Sequence, residues 1–277
     1  MRLSPGWSGE DARVSIRIPA GSEYVAMGSS FGAGPGLRPR VPGSPRGSGR
    51  SMVNYAHLLA AAGGLELTDV TFSGATTAEL LGPSAGGHPA QVDAVTPATR
   101  LVTVTAGGND VSYIGGLSRA SLPWPFRLLP TTRRQVAEAI DETTRDARFE
   151  KLRASLTRLV VGIRSSAPDS IVVLVDYLTI LPPDDTAITG RPDAATADWA
   201  RGTARRLTDT FRAVAHAEGC QFLAVGDASR DHHAWAAQPW TRRFRLSSRG
   251  GAPYHPNAAG MRAVAALLQE SLGIPAR

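Results

Sequence analysis

Apolar positions along this chain follow two alternating patterns. Short runs at Tyr24–Met27, Leu67–Phe72, Leu101–Thr105, Ile171–Val175 and Gln221–Val225 read as strands, and most are apolar at successive positions, as strands covered on both faces are. Between them, apolar residues at helical spacing predict helices over Met52–Ala62, Thr77–Leu81, about Thr132 to Ser165, Ala195–Ala217 and Ala258–Leu272. In the long central segment Val136, Ile140, Phe149, Leu152, Leu156, Leu159, Val160 and Ile163 fall on one face, and Pro168 with Asp169 ends it. Strands alternating with helices predict an α/β fold, specifically a flavodoxin-like three-layer α/β/α sandwich around a five-stranded parallel sheet. Ligands of such folds gather outside the carboxyl ends of the strands. Residues 1–20 carry little periodicity beyond a short strand candidate at Val14–Ile18 and read as an N-terminal extension, which leaves 21–277 as one domain.

Composition narrows the function classes. With 277 residues, 42% hydrophobic and 19% charged, the chain has enough apolar material for a core, and disordered or collagen-like classes are excluded. The net charge of +6 comes almost wholly from Arg, Lys151 being the single lysine. The basic residues do not concentrate with aromatic partners, which argues against nucleic-acid binding. One local cluster, Arg38, Arg40, Arg46 and Arg50, lies in a Pro/Gly/Ser-rich stretch and reads as a solvated loop that mildly favours an anionic group on a substrate. Cys220 is the only cysteine, so no internal disulfide forms, and the scattered His and Asp residues show no metal-ligand spacing. The longest aliphatic run, Ile171–Val175, is far short of the roughly 20 residues of a bilayer-spanning helix. The first thirty residues contain no signal-peptide core. The expectation is a soluble, cytoplasmic protein with no stable membrane insertion; export by another route and the oligomeric state stay open.

Four stations carry candidate chemistry. Gly28-Ser29-Ser30-Phe31-Gly32-Ala33-Gly34 follows the first strand, where a serine on a sharp turn exposes its oxygen beside backbone N–H groups. The glycines also resemble a phosphate cradle, but neither a Walker loop nor a Gly-x-Gly-x-x-Gly fingerprint is present. Ser73-Gly74-Ala75-Thr76-Thr77 follows the second strand, and the Gly74 N–H can face the same crevice. Gly107-Gly108-Asn109-Asp110 follows the third, with the Asn109 amide a donor and Asp110 a loop anchor. His255-Pro256-Asn257 precedes the last helix, which Asn257 caps, and a histidine so fixed can act as a general base. His232 and His233 form a second, weaker histidine station.

These four blocks, in this order over roughly residues 24–268, resemble those of the SGNH (GDSL-type) hydrolases, whose Ser, Gly, Asn and His would here be Ser30, Gly74, Asn109 and His255. The strings Gly-Ser-Ser-Phe-x-Ala-Gly-Pro-Gly, Arg-Ser-x-x-Asn-Tyr, Ser-Gly-Ala-Thr-Thr and His-Pro-Asn-x-x-Gly are similar to those of the actinobacterial esterase/lipase branch. The resemblance implies a serine esterase that needs no cofactor and acts on a small-molecule ester through an acyl-enzyme on Ser30. His255 would be the general base, and the Ser30 N–H, Gly74 N–H and Asn109 amide would form an oxyanion hole. Two departures bear on the site. Ser29 replaces the family's common Asp before the nucleophile, as it often does in this branch. Ala252 stands where the last block usually places an Asp. The group orienting His255 is then the Ala252 main-chain carbonyl, as in some members of the branch, or Asp227 or Asp231 from the loop after the fifth strand; the carbonyl is favoured. Positions near which secreted relatives hold disulfide cysteines are Ser48, Phe72 and Trp235 here, in keeping with an intracellular relative.

The ester itself is not legible: simple esters, lipids and acetylated sugars all fit. The connections Pro35–Arg50, Leu117–Pro130 and Leu181–Asp193 are expected to shape the substrate pocket. An acyltransferase using the same site, a flavodoxin-like binding module and an inactive scaffold are the alternatives.

Overall fold

The computed structural model describes residues 18–183, 186, 188–246 and 251–275. The expected strand at Val14–Ile18 lies outside these residues, apart from Ile18, which is buried. Five strands, β1 (Glu23–Gly28), β2 (Glu66–Asp69), β3 (Thr99–Thr105), β4 (Ile171–Val175) and β5 (Gln221–Leu223), form one sheet in the order β2-β1-β3-β4-β5. Every neighbouring pair is parallel, with Tyr24 opposite Leu67 and Leu101, and Val173 opposite both Thr103 and Gln221. Central β1, β3 and β4 are buried almost throughout, because helices cover both faces; the edge strands β2 and β5 are only partly buried.

The helices are α1 (Ser30–Ala33), α2 (Tyr55–Gly63), α3 (Thr77–Leu81), α4 (Tyr113–Ala120), α5 (Trp124–Arg127), α6 (Pro130–Ile140), α7 (Glu142–Ser166), α8 (Ala194–Ala217), α9 (Val225–Ala228) and α10 (Ala258–Ser271). Helices α2 and α10 pack on each other, while α3, α4, α6, α7 and α8 form a second contiguous layer. None of the described helices is long and apolar enough to cross a membrane.

Three elements differ from expectation for identifiable reasons. The β2 ladder stops at Asp69, whose carboxylate accepts hydrogen bonds from the Thr71 N–H at 3.0 Å and the Thr71 hydroxyl at 2.6 Å. This local side-chain turn competes with the ladder, although the Val70 and Phe72 N–H groups still donate to the carbonyls of Ala26 and Gly28. The long central helix is two helices. Asp141 leaves the helical region at φ −60°, ψ 123° and caps α7 by accepting the Thr144 N–H at 2.8 Å, while the apolar spacing runs on across the break. Helix α4 is not evident from spacing because Gly115 and Gly116 dilute its pattern; Gly116 is needed there, since a Cβ would lie 2.7 Å from the Trp199 ring.

Candidate active site

All four stations stand at the carboxyl edge of the sheet or on the segment that returns to it. The β1 ladder ends at Gly28, whose φ of +139° and close approach to β3 exclude any side chain: a Cβ there would sit 2.2 Å from the Thr105 carbonyl oxygen. The buried Gln91 amide clamps this glycine, accepting its N–H at 2.7 Å and donating to its carbonyl at 3.1 Å. Ser29 then caps the one-turn helix α1, Ser30 is its first residue, and Gly34 closes it in the left-handed region at φ 79°. As a first-turn residue Ser30 has an N–H without an intrahelical acceptor. Among the described residues nothing else accepts that N–H, nor that of Gly74.

Gly74 lies exposed in the turn after β2 at φ +88°, and a Cβ built on it would meet nothing within 4 Å. Its turn is joined to the next one: Asp110 accepts the Thr77 N–H at 3.0 and 3.1 Å and the Thr77 hydroxyl at 2.5 Å, and the Asn109 amide donates to the Ala75 carbonyl at 2.8 Å. Burial raises the Asp110 pKa against the opposing pull of the two Thr77 hydrogen bonds. Asn109 uses one amide hydrogen in this contact and keeps the second. Below it, the Gly108 N–H donates to the Tyr177 hydroxyl at 2.7 Å, and the Tyr177 ring packs 4.7 Å from that of Phe31.

His255 meets Ser30 across 225 residues of chain, with Nε2 2.7 Å from Oγ. Its Nδ1 lies 2.7 Å from a main-chain oxygen, that of Pro253. This corrects the expected orienting group: the Ala252 carbonyl instead accepts the His255 backbone N–H at 3.4 Å. Two residues of separation let the chain curl back so that the ring, and not the amide, faces the Pro253 oxygen. Neither carboxylate candidate reaches the ring. Asp227 sits on α9 between Arg230, at 3.3 Å, and Arg212, at 3.8 Å, and Asp231 is exposed in the turn that follows. His232 and His233 do not join the site either. His232 stacks on Trp240 at 4.0 Å, in a segment whose Trp240 carbonyl accepts the Asn257 N–H at 2.8 Å, so it braces the last block from behind.

A carbonyl can only accept, so Nδ1 carries the proton and Nε2 has the lone pair that faces the Ser30 hydroxyl. Desolvation pushes the His255 pKa down to about 4, with the Pro253 hydrogen bond opposing the shift, so the imidazole is neutral at pH 7. Phe31 packs on the ring with centroids 5.3 Å apart. Tyr254, at φ +60°, is one of the non-glycine residues in the left-handed region, a conformation costing about 1–3 kcal/mol. Its side chain is fully buried and its hydroxyl lies 2.7 Å from the Ser121 Oγ, which holds the turn that aims His255.

Tyr177, Gln91 and Pro253 are the positioning residues that sequence reasoning missed; each lacks a motif, and only the spacing of Pro253 from His255 offered any signal. Of the connections expected to shape the pocket, Pro45 and Arg50 join Phe72 and Ala75 in lining a cavity of about 520 Å³ beside the Gly74 turn. Leu181 to Pro183 line another, of about 490 Å³, between β4, α8 and α9. In the third connection Leu117, Ala120 and Ser121 are buried, and Trp124, Phe126, Leu128 and Leu129 face solvent.

Comparison with known proteins agrees with this geometry. The model of the GDSL-like Lipase/Acylhydrolase family matches residues 26–263. Lipase 2 of Streptomyces coelicolor is 31% identical over 261 residues, covering 91% of this chain and 86% of that protein. A lipase of Streptomyces rimosus is 27% identical over 259 residues, covering 91% and 87%. Among solved structures, a phospholipase A1 from Streptomyces albidoflavus superposes with a TM-score of 0.74 at 24% identity, covering 91% of this chain and 99% of that one. An acetylxylan esterase from Geobacillus stearothermophilus superposes with a TM-score of 0.53 at 17% identity, covering 94% and 97%. The chain belongs to the GDSL-like lipase/acylhydrolase family and is an ester hydrolase of the SGNH type.

Proposed function

We propose that this protein hydrolyses carboxylic esters through an acyl-enzyme on Ser30. The observation that carries the reading is the unbroken line from Pro253 oxygen through the His255 ring to the Ser30 Oγ, both contacts at 2.7 Å. His255 Nε2 takes the Ser30 proton as the oxygen attacks the ester carbonyl, and the imidazolium then protonates the departing alcohol. Water attacks the acyl-enzyme by the same route in reverse. The imidazolium forms where it is poorly solvated, so it is a strong acid and gives its proton up readily. In this reading the N–H groups of Ser30 and Gly74 and the second hydrogen of the Asn109 amide, left over by the hydrogen bonds described above, stabilise the developing oxyanion. Each such donor is worth about 3–4 kcal/mol in the transition state. The cytoplasmic location expected from the sequence is part of this proposal, supported by a single thiol, Cys220, that needs no oxidising compartment.

The test is intact-mass measurement after treatment with a fluorophosphonate. The wild type gains one adduct, Ser30→Ala gains none, and His255→Ala reacts far more slowly. Undiminished labelling or ester hydrolysis by Ser30→Ala refutes the assignment.

A further inference from the structure

The segment from Pro123 to Leu129 was expected in the substrate pocket, yet it turns its apolar side chains outward. Trp124 is 63% exposed, Phe126 51%, Leu128 49% and Leu129 50%, and helix α5 buries none of its residues. Four large apolar side chains on six consecutive residues are thus all exposed, a concentration of the kind that marks an interaction surface.

Two further features say what covers it. Between Asp110 and Glu138 the chain has no acidic residue but contains Arg119, Arg127, Arg133 and Arg134. Arg127 pairs with Asp193 at 3.4 Å and Arg134 with Glu138 at 2.7 Å, while Arg119 and Arg133 have no ion-pair partner among the described residues. A second copy of the chain would bring the same positive charge against itself in a two-fold contact. Trp, Phe and Leu interleaved with Arg match the chemistry of a lipid–water interface with anionic headgroups. The patch is also joined to the catalytic block: at its base Ser121 holds Tyr254, the residue before His255, at 2.7 Å, and the Leu122 carbonyl accepts from Arg191 at 2.6 Å.

We propose that Pro123–Leu129 is an interfacial docking surface that seats the enzyme on an anionic lipid surface, so that its esters are lipids held there. The choice of substrate rests on the ester-hydrolase reading; the docking does not.

Co-sedimentation of the full chain with phosphatidylglycerol vesicles, and with phosphatidylcholine vesicles as control, tests it. Wild type and Ser30→Ala should partition alike onto phosphatidylglycerol, less so as salt rises and less onto phosphatidylcholine. The double variant Trp124→Ser, Phe126→Ser should lose about tenfold or more in partitioning, while its turnover of a water-soluble short-chain ester stays at the wild-type level, which shows that it folds. Arg133→Gln should weaken binding to phosphatidylglycerol alone. Undiminished partitioning of the aromatic double variant, equal binding to both lipids, or no vesicle binding by an active wild type overturns the proposal, as does a lipid-free dimer that the double variant abolishes. Vesicle binding by a wild type without esterase activity would support the docking and defeat the hydrolase reading.

Discussion

Nδ1 of His255 is 2.7 Å from the main-chain oxygen of Pro253, its neighbour but one in the chain. A peptide oxygen orients the ring as a carboxylate would but brings no full negative charge, so it offsets only part of the cost of charging a poorly solvated imidazole. The pKa accordingly falls to about 4. If His255 is the base, the acid limb of kcat/KM should lie near pH 4–5, well below the 6.5 of an ordinary histidine. A pH–rate profile on a neutral soluble ester measures this, and a limb at pH 6.5 would contradict the lowered pKa rather than the role of His255 as base.

The same residue links stability to pH. The unfolded chain binds a proton at His255 with a pKa near 6.5, whereas the folded one resists it until about 4. The unfolded state therefore holds more protons in that window. The stability contribution is fully present above about pH 6.5 and is lost as pH falls towards 4. Denaturant titrations at several pH values should show His255→Gln with a shallower loss over this range than the wild type.

Asn109→Ala removes a proposed oxyanion donor and the bond to Ala75. Turnover should drop by about two to three orders of magnitude with KM little changed, because the interaction belongs to the transition state. Circular dichroism and thermal melting should show the fold intact. A variant within threefold of wild type would remove Asn109 from the oxyanion hole.

Tyr177 acts one step back from the chemistry, holding the Gly108 N–H at 2.7 Å. Tyr177→Phe keeps the ring but leaves that N–H unpaired in a buried setting, at a cost of about 1–3 kcal/mol. Because Gly108 precedes Asn109, kcat should fall more than KM rises. A purely structural role would lower the melting temperature and leave both constants unchanged.

Asp176 gives a prediction of the opposite sign to His255. It is buried at the end of β4, accepts from the Gly226 N–H at 3.0 Å and the Thr208 hydroxyl at 2.9 Å, and has its pKa raised to about 7 by desolvation. A raised folded-state pKa means that its contribution is present below about pH 4 and is lost as pH climbs through 7. Asp176→Asn, which cannot charge, should melt a few degrees above the wild type at pH 8 relative to its position at pH 5. Equal offsets at both pH values would argue against a neutral Asp176 carboxyl.

Local signals determined the elements and the choice of candidate site residues. Uninterrupted apolar runs such as Ile171–Val175 permit little but a strand covered on both faces, and the turn glycines, with the Ser30, Gly74, Asn109 and His255 strings, encode their conformation within a few residues. Where spacing alone was the guide, the reading blurred: the Asp141 cap divides a helix without disturbing its apolar period, and Gly116 hides α4 because its reason for being glycine is the distant Trp199. The tertiary structure alone decided which acceptor meets the His255 ring, since Ala252 and Pro253 differ by only one step along a tight turn whose direction Tyr254 and Ser121 set from 133 residues apart. It decided likewise that Gln91 and Tyr177 support the site, and that the Trp124 and Phe126 side chains face outward. Periodicity records that a side chain is apolar; which surface it meets depends on how elements far apart in the chain close over one another.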